Sequence, residues 1–284
     1  RRALEPLAEA DSFDFIADLG AWMPMRTIGY LLGIPEDRQV AIRQNTDDLL
    51  NLDRGAPGDV AADMLARSGS MLEEFIDWRY EHPSDDLMTD LVNAEIEGVD
   101  GQRRRLTRAE VLTYAGTVVG AGNETTTKLL ANAAFWGHHN PDQLTAVYDD
   151  LDRVPLWVEE TLRYDTSSQI LARTVAGGLT LYDTTIPDGD VVLLLPGSAH
   201  RDERAFESPD DYVIGREIGS KLMSFGSGAH FCLGAHLARM EARVALAELF
   251  KRISGYEVDE ANAVRVHSSN VRGFAHLPIA VQLR

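Results

Sequence analysis

One side chain in this sequence could supply a strong sulfur ligand to a metal. Cys232 is the only cysteine among 284 residues, and it lies in residues 225–234, which read FGSGAHFCLG. Gly226 and Gly228 allow a tight backbone turn ahead of the sulfur. A helix predicted to begin near Ala235 would point its positive end at a thiolate and stabilise it. A lone cysteine is more often a buried structural residue, so the loop alone leaves both interpretations open.

A second set of polar residues interrupts a long apolar stretch at residues 121–127, which read AGNETTT. The hydroxyl of Thr125 can donate to the carbonyl of Ala121, four residues earlier, and bend a helix there. Gly122 opens space beside it for a flat group. Glu124 and Thr125 form an acid–alcohol pair of the kind that relays protons. Taken alone, this motif more often indicates that Glu124 is a surface residue and that Thr125 packs in the core.

A third motif is a pair of opposite charges. Glu160 and Arg163 are three residues apart on a predicted helix, so both side chains lie on one face and can pair. The pattern E-x-x-R is common and usually marks an exposed pair of little energetic value. Its place between the other two motifs is what makes it informative.

Together these motifs closely resemble those of the cytochromes P450. The pattern F-G-x-G-x-H-x-C-x-G around Cys232 resembles the family's haem-binding loop, A-G-x-E-T its central helix, and E-x-x-R the helix between them. The resemblance runs from about Asp14 to the C terminus. It implies a mainly α fold with a small β region (α+β), the cytochrome P450 fold, in a single catalytic domain over residues 1–284. Family members usually carry more chain ahead of this point, so we expect the fold to be incomplete at its N-terminal end.

The resemblance also assigns roles to individual residues. It implies that Cys232 is the axial thiolate ligand of haem iron, which favours O–O cleavage, and that Glu124 and Thr125 are the catalytic pair that delivers protons to bound oxygen. By the same analogy the E-x-x-R pair forms a buried network, with Arg216 as its third member. The expected cofactor is haem b (iron-protoporphyrin IX), and the residues expected to hold it are Ala121, Gly122, Arg173, Phe225, Gly226, His230, Cys232 and Gly234.

Three of those cofactor contacts have a specific expected form. Arg173 and His230 resemble the family residues that donate to the haem propionates, and a guanidinium suits a carboxylate because it can bind both oxygens. Phe225 matches the aromatic residue that packs near the sulfur and shields it from water. The competing interpretations are an edge-strand arginine and a solvent-exposed loop histidine.

The function implied by the resemblance is that of a haem-thiolate monooxygenase. It would activate O₂ with electrons from a separate ferredoxin- or flavodoxin-type donor and hydroxylate or epoxidise a small apolar or amphipathic substrate. One alternative is a P450-like enzyme that uses peroxide or rearranges its substrate without external electrons, which the intact Glu124–Thr125 pair argues against. Another is a non-catalytic fragment that binds haem without turnover.

The composition disfavours several classes of partner. With 27 Lys and Arg against 45 Asp and Glu, the formal net charge is −18, which argues against nucleic acid and anionic membranes as main partners. The longest strictly apolar run, residues 191–195, is far too short to span a membrane. A single cysteine permits no intrachain disulfide, which suits a reducing compartment. We therefore expect a cytoplasmic protein.

The elements that must position the motifs are mostly helices. A T-x-x-E capping box at Thr107 and Glu110 predicts a helix of about 32 residues that ends at His138. Pro155 is expected to open another helix, which ends near Tyr164. Another helix is predicted after the cysteine loop, over residues 235–255. Three strands are predicted, over residues 170–175, 179–182 and 191–195.

The stretch before the long helix gives weaker signals. Pro24 is expected to interrupt a helical face over residues 13–23, and Ser84-Asp85 to cap a short helix that reaches about Asn93. Residues 97–105 are predicted to form a polar loop in which three consecutive arginines are a solvated patch. Apolar positions at helical spacing between Val60 and Ile76 predict one more helix.

Overall fold

The structure, a computed structural model, describes residues 4–50, 71–98 and 100–284. The chain forms two compact units, Arg1–Thr127 and Lys128–Arg284, and the division between them falls inside one long helix. In the described part of the chain, no helix has both the length and the apolar character that crossing a membrane requires. The assignment of residues 1–284 to a single catalytic domain stays a prediction.

The first unit consists mainly of helices. A π-helical turn, Phe15–Gly20, precedes them, and the side chain of Asp14 caps its N-terminus. The predicted helix between residues 60 and 76 is described only from residue 71 onward. The helices of this unit are α1 (Trp22–Leu32), α2 (Glu36–Leu50), α3 (residues 71–81) and α4 (Leu87–Asn93), and its strands are β1 (Ser12–Asp14), β2 (Glu95–Glu97) and β3 (Arg103–Arg105).

Two predicted helix boundaries in this unit were wrong. Pro24 does not interrupt a helix but lies in the first turn of α1, where the missing N–H removes no intrahelical hydrogen bond. The cap of α4 is Asp86 rather than Ser84-Asp85, because the Asp86 carboxylate accepts a hydrogen bond from the amide of Thr89 at 2.8 Å.

The predicted polar loop over residues 97–105 is shorter than expected, because Glu95–Glu97 and Arg103–Arg105 pair as antiparallel strands. Glu95 lies opposite Arg105, and Glu97 lies opposite Arg103. Cross-strand pairs of opposite charge stabilise such a ribbon. The three arginines are exposed, as predicted, but they lie on a strand.

The long predicted helix is confirmed as α5 (Arg108–His138), which has 31 residues. It starts with the predicted capping box: the Thr107 amide donates to Glu110 Oε2 at 2.8 Å, and the Glu110 amide donates to Thr107 Oγ1 at 3.3 Å. Hydrogen bonds from the Arg104 guanidinium, with further ones from Thr107, lower the pKa of Glu110 to about 2. The carboxylate is therefore ionised and holds the start of the helix.

The second unit places helices beside small antiparallel sheets. Residues Leu171–Thr174 pair with Val191–Leu194, Leu179–Leu181 with Thr184–Ile186, Ile253–Val258 with Pro278–Leu283, and Val264–Arg265 with Phe274–His276. The helices are α6 (Pro141–Asp149), α7 (Val154–Tyr164), α8 (Pro196–Ala199) and α9 (Ala235–Phe250). The strands are β4 (Leu171–Thr174), β5 (Leu179–Leu181), β6 (Thr184–Ile186), β7 (Val191–Leu194), β8 (Ile253–Val258), β9 (Val264–Arg265), β10 (Phe274–His276) and β11 (Pro278–Leu283).

Aromatic packing joins α7 to α9 in the core of this unit. Trp157 of α7 is buried and lies 5.0 Å from the ring of Phe250, at the end of α9, and Tyr148 stacks on the same ring at 4.2 Å. Such aromatic pairs add to the energy of burial. The helix that contains the E-x-x-R pair and the helix that follows the cysteine loop are therefore held as one framework.

The fold class is confirmed as mainly α with a small β region, but the end of α9 was predicted too late. The helix ends at Phe250, and Ser254 and Gly255 lie in β8, where Gly255 pairs with Gln282 of β11. The strand pairing depends on a partner about 25 residues later, which local helix periodicity does not reveal. Strand β6 was missed because it is only three residues long.

Candidate functional site

The loop around Cys232 turns as its glycines predict. Gly226 and Gly228 have φ values of 70° and 69°, in the left-handed region that favours glycine. The Cys232 N–H donates to the Phe225 carbonyl at 2.8 Å, which closes the loop. The cysteine is thus presented at the end of a closed turn, immediately before α9.

The sulfur of Cys232 is free and exposed. Gly234 lies directly beside it, because an added Cβ would stand 3.9 Å from Sγ, an ordinary van der Waals distance. The helix α9 begins at Ala235, as predicted. One accessible sulfur at a helix start could serve as the single protein ligand to haem iron, because the porphyrin itself would supply most of the other ligands.

The aromatic residue of the loop is held by α9 and α7. The Arg239 guanidinium of α9 lies 4.5 Å from the centre of the Phe225 ring. The same guanidinium donates to the carboxylate of Glu159 on α7 at 2.6 and 3.0 Å. The loop, α7 and α9 are therefore joined through one arginine, whose role the sequence did not predict.

The two residues predicted to hold propionates are both accessible. His230 is exposed at the end of a short 3₁₀ turn, Gly228–His230, within the cysteine loop. Arg173 is exposed on β4 opposite Val192, and its Nη1 donates to the Ala172 carbonyl at 2.8 Å. Both side chains can reach an anionic group, and their assignment to propionates stays a prediction.

The middle of α5 has the predicted hydrogen bond. Thr125 Oγ1 donates to the Ala121 carbonyl at 2.7 Å. Within this unit Gly122 lies against Ile28, because an added Cβ would stand 2.8 Å from Ile28 Cδ1, and its contact with the cofactor stays a prediction. Here the glycine permits close packing of α1 against α5.

Polar atoms are buried next to Thr125. Glu124 is only 4% exposed, and Asn123 is fully buried. Neither amide atom of Asn123 has a hydrogen-bond partner in the part of the chain that the structure describes. Leaving such groups unsatisfied costs about 1–3 kcal/mol each. This cost is easier to explain if the segment serves a function than if it serves stability alone.

The predicted site residues therefore lie in two groups. Ala121, Gly122, Glu124 and Thr125 belong to the first unit, within one turn of α5. Arg173 and the cysteine loop belong to the second unit. Within the loop, the structure brings Phe225, Cys232 and Gly234 into direct proximity.

The E-x-x-R pair forms a buried network, as predicted. Glu160 and Arg163 have fully buried side chains, and Nε and Nη2 of Arg163 each donate to the Glu160 carboxylate at 2.8 Å. Arg216, the predicted third member, places its Nε 3.5 Å from Glu160 Oε1. This geometry differs from that of an exposed pair, because both charges are removed from water and need several partners.

Most other partners of this network are backbone groups. Arg163 donates to the carbonyls of His200, Pro209 and Asp211 at 2.8–2.9 Å. The Glu160 carboxylate also accepts from the amide of Val213 at 2.7 Å. The irregular segment before the cysteine loop is therefore held from α7 through its main chain.

Two residues that the sequence did not mark tie the start of the cysteine loop to this framework. The Met223 N–H donates to His200 Nε2 at 2.7 Å, and Ser224 Oγ donates to the Leu162 carbonyl of α7 at 2.6 Å. His200 is fully buried. Only the structure shows what this histidine contacts.

The free energy of unfolding should depend on His200 between pH 7 and pH 5. Burial, followed by the charge of Arg163, lowers the pKa of His200 from 6.5 to about 4. The unfolded chain takes up this proton near pH 6.5 and the folded chain only near pH 4, so stability falls as the pH is lowered between these values. We expect His200 to reduce the unfolding free energy by about 2 kcal/mol from pH 7 to pH 5.

Urea denaturation of the parent protein and of His200→Gln, each at both pH values, measures this contribution. The parent should lose more stability than the variant, because the variant has no group that titrates at this position. An equal loss in the two proteins would contradict the assignment.

The adjacent histidines His138 and His139 at the end of α5 face one carboxylate, with their Nε2 atoms 3.9 and 3.4 Å from Glu260 Oε1. The helix ends at His138, so the next residue can turn toward the same carboxylate. Over the described residues, no group of three His, Cys, Asp or Glu side chains could hold a metal ion.

Comparison with known proteins identifies the family to which these features correspond. The family model described as "Cytochrome P450" matches residues 54–278. "Putative cytochrome P450 123" of Mycobacterium tuberculosis is 56% identical over 284 residues. That match covers 99% of this chain and 69% of the length of the mycobacterial protein.

Solved structures give the same result. Cytochrome P450 CYP109Q5 from Chondromyces apiculatus has a TM-score of 0.86 at 32% identity, and the match covers 100% of this chain and 70% of that one. P450BioI, solved in complex with an acyl carrier protein ligated to hexadec-9Z-enoic acid, has a TM-score of 0.89 at 26% identity. That match covers 99% of this chain and 72% of P450BioI.

Proposed function

Because the chain belongs to the cytochrome P450 family of haem-dependent monooxygenases, we propose that it inserts one oxygen atom from O₂ into a small apolar or amphipathic substrate. The reaction is a hydroxylation or an epoxidation, and the cofactor is haem b. The observation that carries the proposal is the accessible thiol of Cys232, which the hydrogen bond from its own N–H to the Phe225 carbonyl holds at the end of a closed turn.

The cysteine loop and β4 supply the contacts to haem in this proposal. Cys232 would bind the iron as a thiolate, and Phe225 would pack beside the sulfur and limit the access of water to it. Arg173 and His230, both exposed, donate to the propionates. Haem, once bound, supplies the activation of O₂ and the transfer of one oxygen atom.

Glu124 and Thr125 supply the protons that the reaction consumes in this proposal. The Thr125 hydroxyl is oriented by its bond to the Ala121 carbonyl, and exchange of that bond lets it pass a proton on. Glu124, which follows the buried Asn123, is the adjacent acid that restores the proton. The substrate class is inferred from the mostly apolar residues that α5 buries around this polar segment.

A separate ferredoxin- or flavodoxin-type protein supplies the electrons in this proposal, and the enzyme works in the cytoplasm. A concave surface of about 410 Å³ on α9 is lined by His236, Arg239, Met240, Arg243 and Val244. Arg239 and Arg243 share one acidic partner, Glu159, so positive charge remains on this surface of a chain whose net charge is −18. An acidic electron carrier would complement it.

Replacing Thr125 with valine is expected to divert electrons into peroxide. The substitution keeps the shape of the side chain and removes the hydroxyl. With NAD(P)H, a surrogate ferredoxin and its reductase, we expect oxygenated product to fall at least tenfold, because positioned proton transfer contributes about 10²–10⁴-fold. The H₂O₂ released per NAD(P)H oxidised should rise several-fold. The substrate is chosen from compounds that shift the haem absorption of the parent protein.

Thr113→Val is the matched control, because Thr113 makes the same kind of bond, to the Ala109 carbonyl at 2.9 Å, on an exposed part of α5. It should leave the peroxide yield unchanged. If Thr125→Val also leaves that yield unchanged and the parent turns over only with added peroxide, the peroxide-driven alternative is correct and the proposed electron supply is not.

A further inference from the structure

His200 is a buried histidine that accepts a hydrogen bond from the loop preceding Cys232. It follows α8 directly, its side chain has no solvent exposure, and its Nε2 accepts from the Met223 N–H at 2.7 Å. An imidazole that accepts at Nε2 carries its proton on Nδ1. In the described part of the structure, Nδ1 has no hydrogen-bond partner.

This arrangement is costly compared with an apolar residue. A buried donor without a partner loses its hydration and gains nothing in return. A leucine or phenylalanine at position 200 would avoid that loss and would fill similar space beside Phe206, whose ring lies 6.2 Å away. The hydrogen bond to Met223 is the interaction that only an acceptor can provide here.

That bond links the buried ion-pair framework to the sulfur through few steps. Arg163 donates to the backbone carbonyl of His200 at 2.9 Å, which fixes the residue itself. The imidazole then holds Met223, whose carbonyl accepts from the Gly226 N–H at 2.9 Å. Gly226 follows Phe225, whose carbonyl accepts from Cys232.

The second tie to the loop acts on the neighbouring residue. Ser224 Oγ donates to the Leu162 carbonyl of α7 at 2.6 Å. Met223 and Ser224 are therefore fixed from two directions, one by a side-chain acceptor and one by a side-chain donor. Without the first tie, the segment could rotate about the second, and the loop would lose its defined position.

We propose that His200 is a positioning residue for the cysteine ligand, whose imidazole sets the position of the loop and so the direction in which Cys232 presents its sulfur. This inference rests on the proposed function, since it requires Cys232 to bind haem iron. His200 itself does not touch the sulfur. Its effect is transmitted through the backbone of residues 223–226.

The test compares His200→Gln with His200→Met in the haem-loaded protein. Glutamine and methionine have nearly the same length and volume, but only glutamine offers an oxygen that can accept from the Met223 N–H. The readout is the reduced, CO-bound absorption spectrum, followed over time, which separates iron with a thiolate ligand from iron that has lost it. Haem content and the thermal unfolding midpoint are measured in parallel.

We expect the Met variant to lose the thiolate-type band about tenfold faster than the parent, with haem content unchanged. The Gln variant should remain within twofold of the parent. His82→Met, at an exposed histidine of the first unit, is the matched control and should behave as the parent does. A lower unfolding midpoint in the Met variant with an unchanged rate of thiolate loss would show a merely structural role and overturn the proposal.

If the Met variant does not accumulate as folded protein, His200→Asn replaces it, because the shorter amide cannot reach the Nε2 position. The same outcomes then apply. Failure of the proposed function looks different, since the parent itself would then show no thiolate-type band. A parent with that band and variants that match it would overturn only the role of His200.

Discussion

Replacing Cys232 with serine is expected to abolish the thiolate-type absorption of the reduced, CO-bound protein and to reduce monooxygenase turnover at least a hundredfold. A serine hydroxyl is not ionised at neutral pH and is a weak ligand for iron, so the electron density that a thiolate provides is lost. No other cysteine in the 284 residues can substitute for it. Optical spectroscopy of the purified variant, with haem content measured separately, checks this result.

Ser227→Ala is a matched control for this experiment. Ser227 is exposed in the same turn, directly before the 3₁₀ turn Gly228–His230. Its removal should leave the band in place, because no contact to the sulfur is lost. A Cys232→Ser protein that retained a thiolate-type band would show that the ligand had been assigned to the wrong residue.

Replacing Arg163 with methionine is expected to have the largest effect on stability. The change leaves the Glu160 carboxylate buried without its main partner and removes the donors to three backbone carbonyls. Breaking a buried ion pair from one side costs about 3–5 kcal/mol. A natural domain is stable by about 5–15 kcal/mol, so we expect the variant to lose a large fraction of its unfolding free energy.

Urea denaturation followed by far-ultraviolet circular dichroism measures this loss. Arg204→Met is the control, since the Arg204 side chain is 85% exposed and pairs with Asp202 on the surface, where such pairs contribute about 0–1 kcal/mol. The double variant Glu160→Gln/Arg163→Met should recover part of the loss, because it leaves no unpaired charge. A loss below about 1 kcal/mol for Arg163→Met would contradict the central role of this pair.

The features that could be predicted from the sequence are those encoded within a few residues. The capping box at Thr107 and Glu110 determines where α5 begins, and the bond from Thr125 to Ala121 follows from a spacing of four. The turn before Cys232 follows from glycines that tolerate positive φ. Each of these features depends on local backbone geometry, which residues close in sequence determine.

The features that could not be predicted depend on partners distant in sequence. E-x-x-R predicts that Glu160 and Arg163 can meet, but not that the guanidinium reaches carbonyls 37 to 48 residues later. The sequence around His200 does not predict that its imidazole accepts a hydrogen bond from Met223, because only the fold brings the two residues together. A search for buried polar side chains that face main-chain groups could have found such residues, but only with the structure available.

The buried network binds main-chain atoms, and this restricts how the sequence of this protein can change during evolution. Arg163 and Glu160 contact residues 200–213 through three carbonyls, which every amino acid presents, and one amide N–H, which only proline lacks. Many side chains in this segment can therefore be substituted without loss of these hydrogen bonds. An insertion or deletion would shift every later carbonyl out of reach. Natural variants should therefore differ in amino-acid sequence over this segment but have the same segment length.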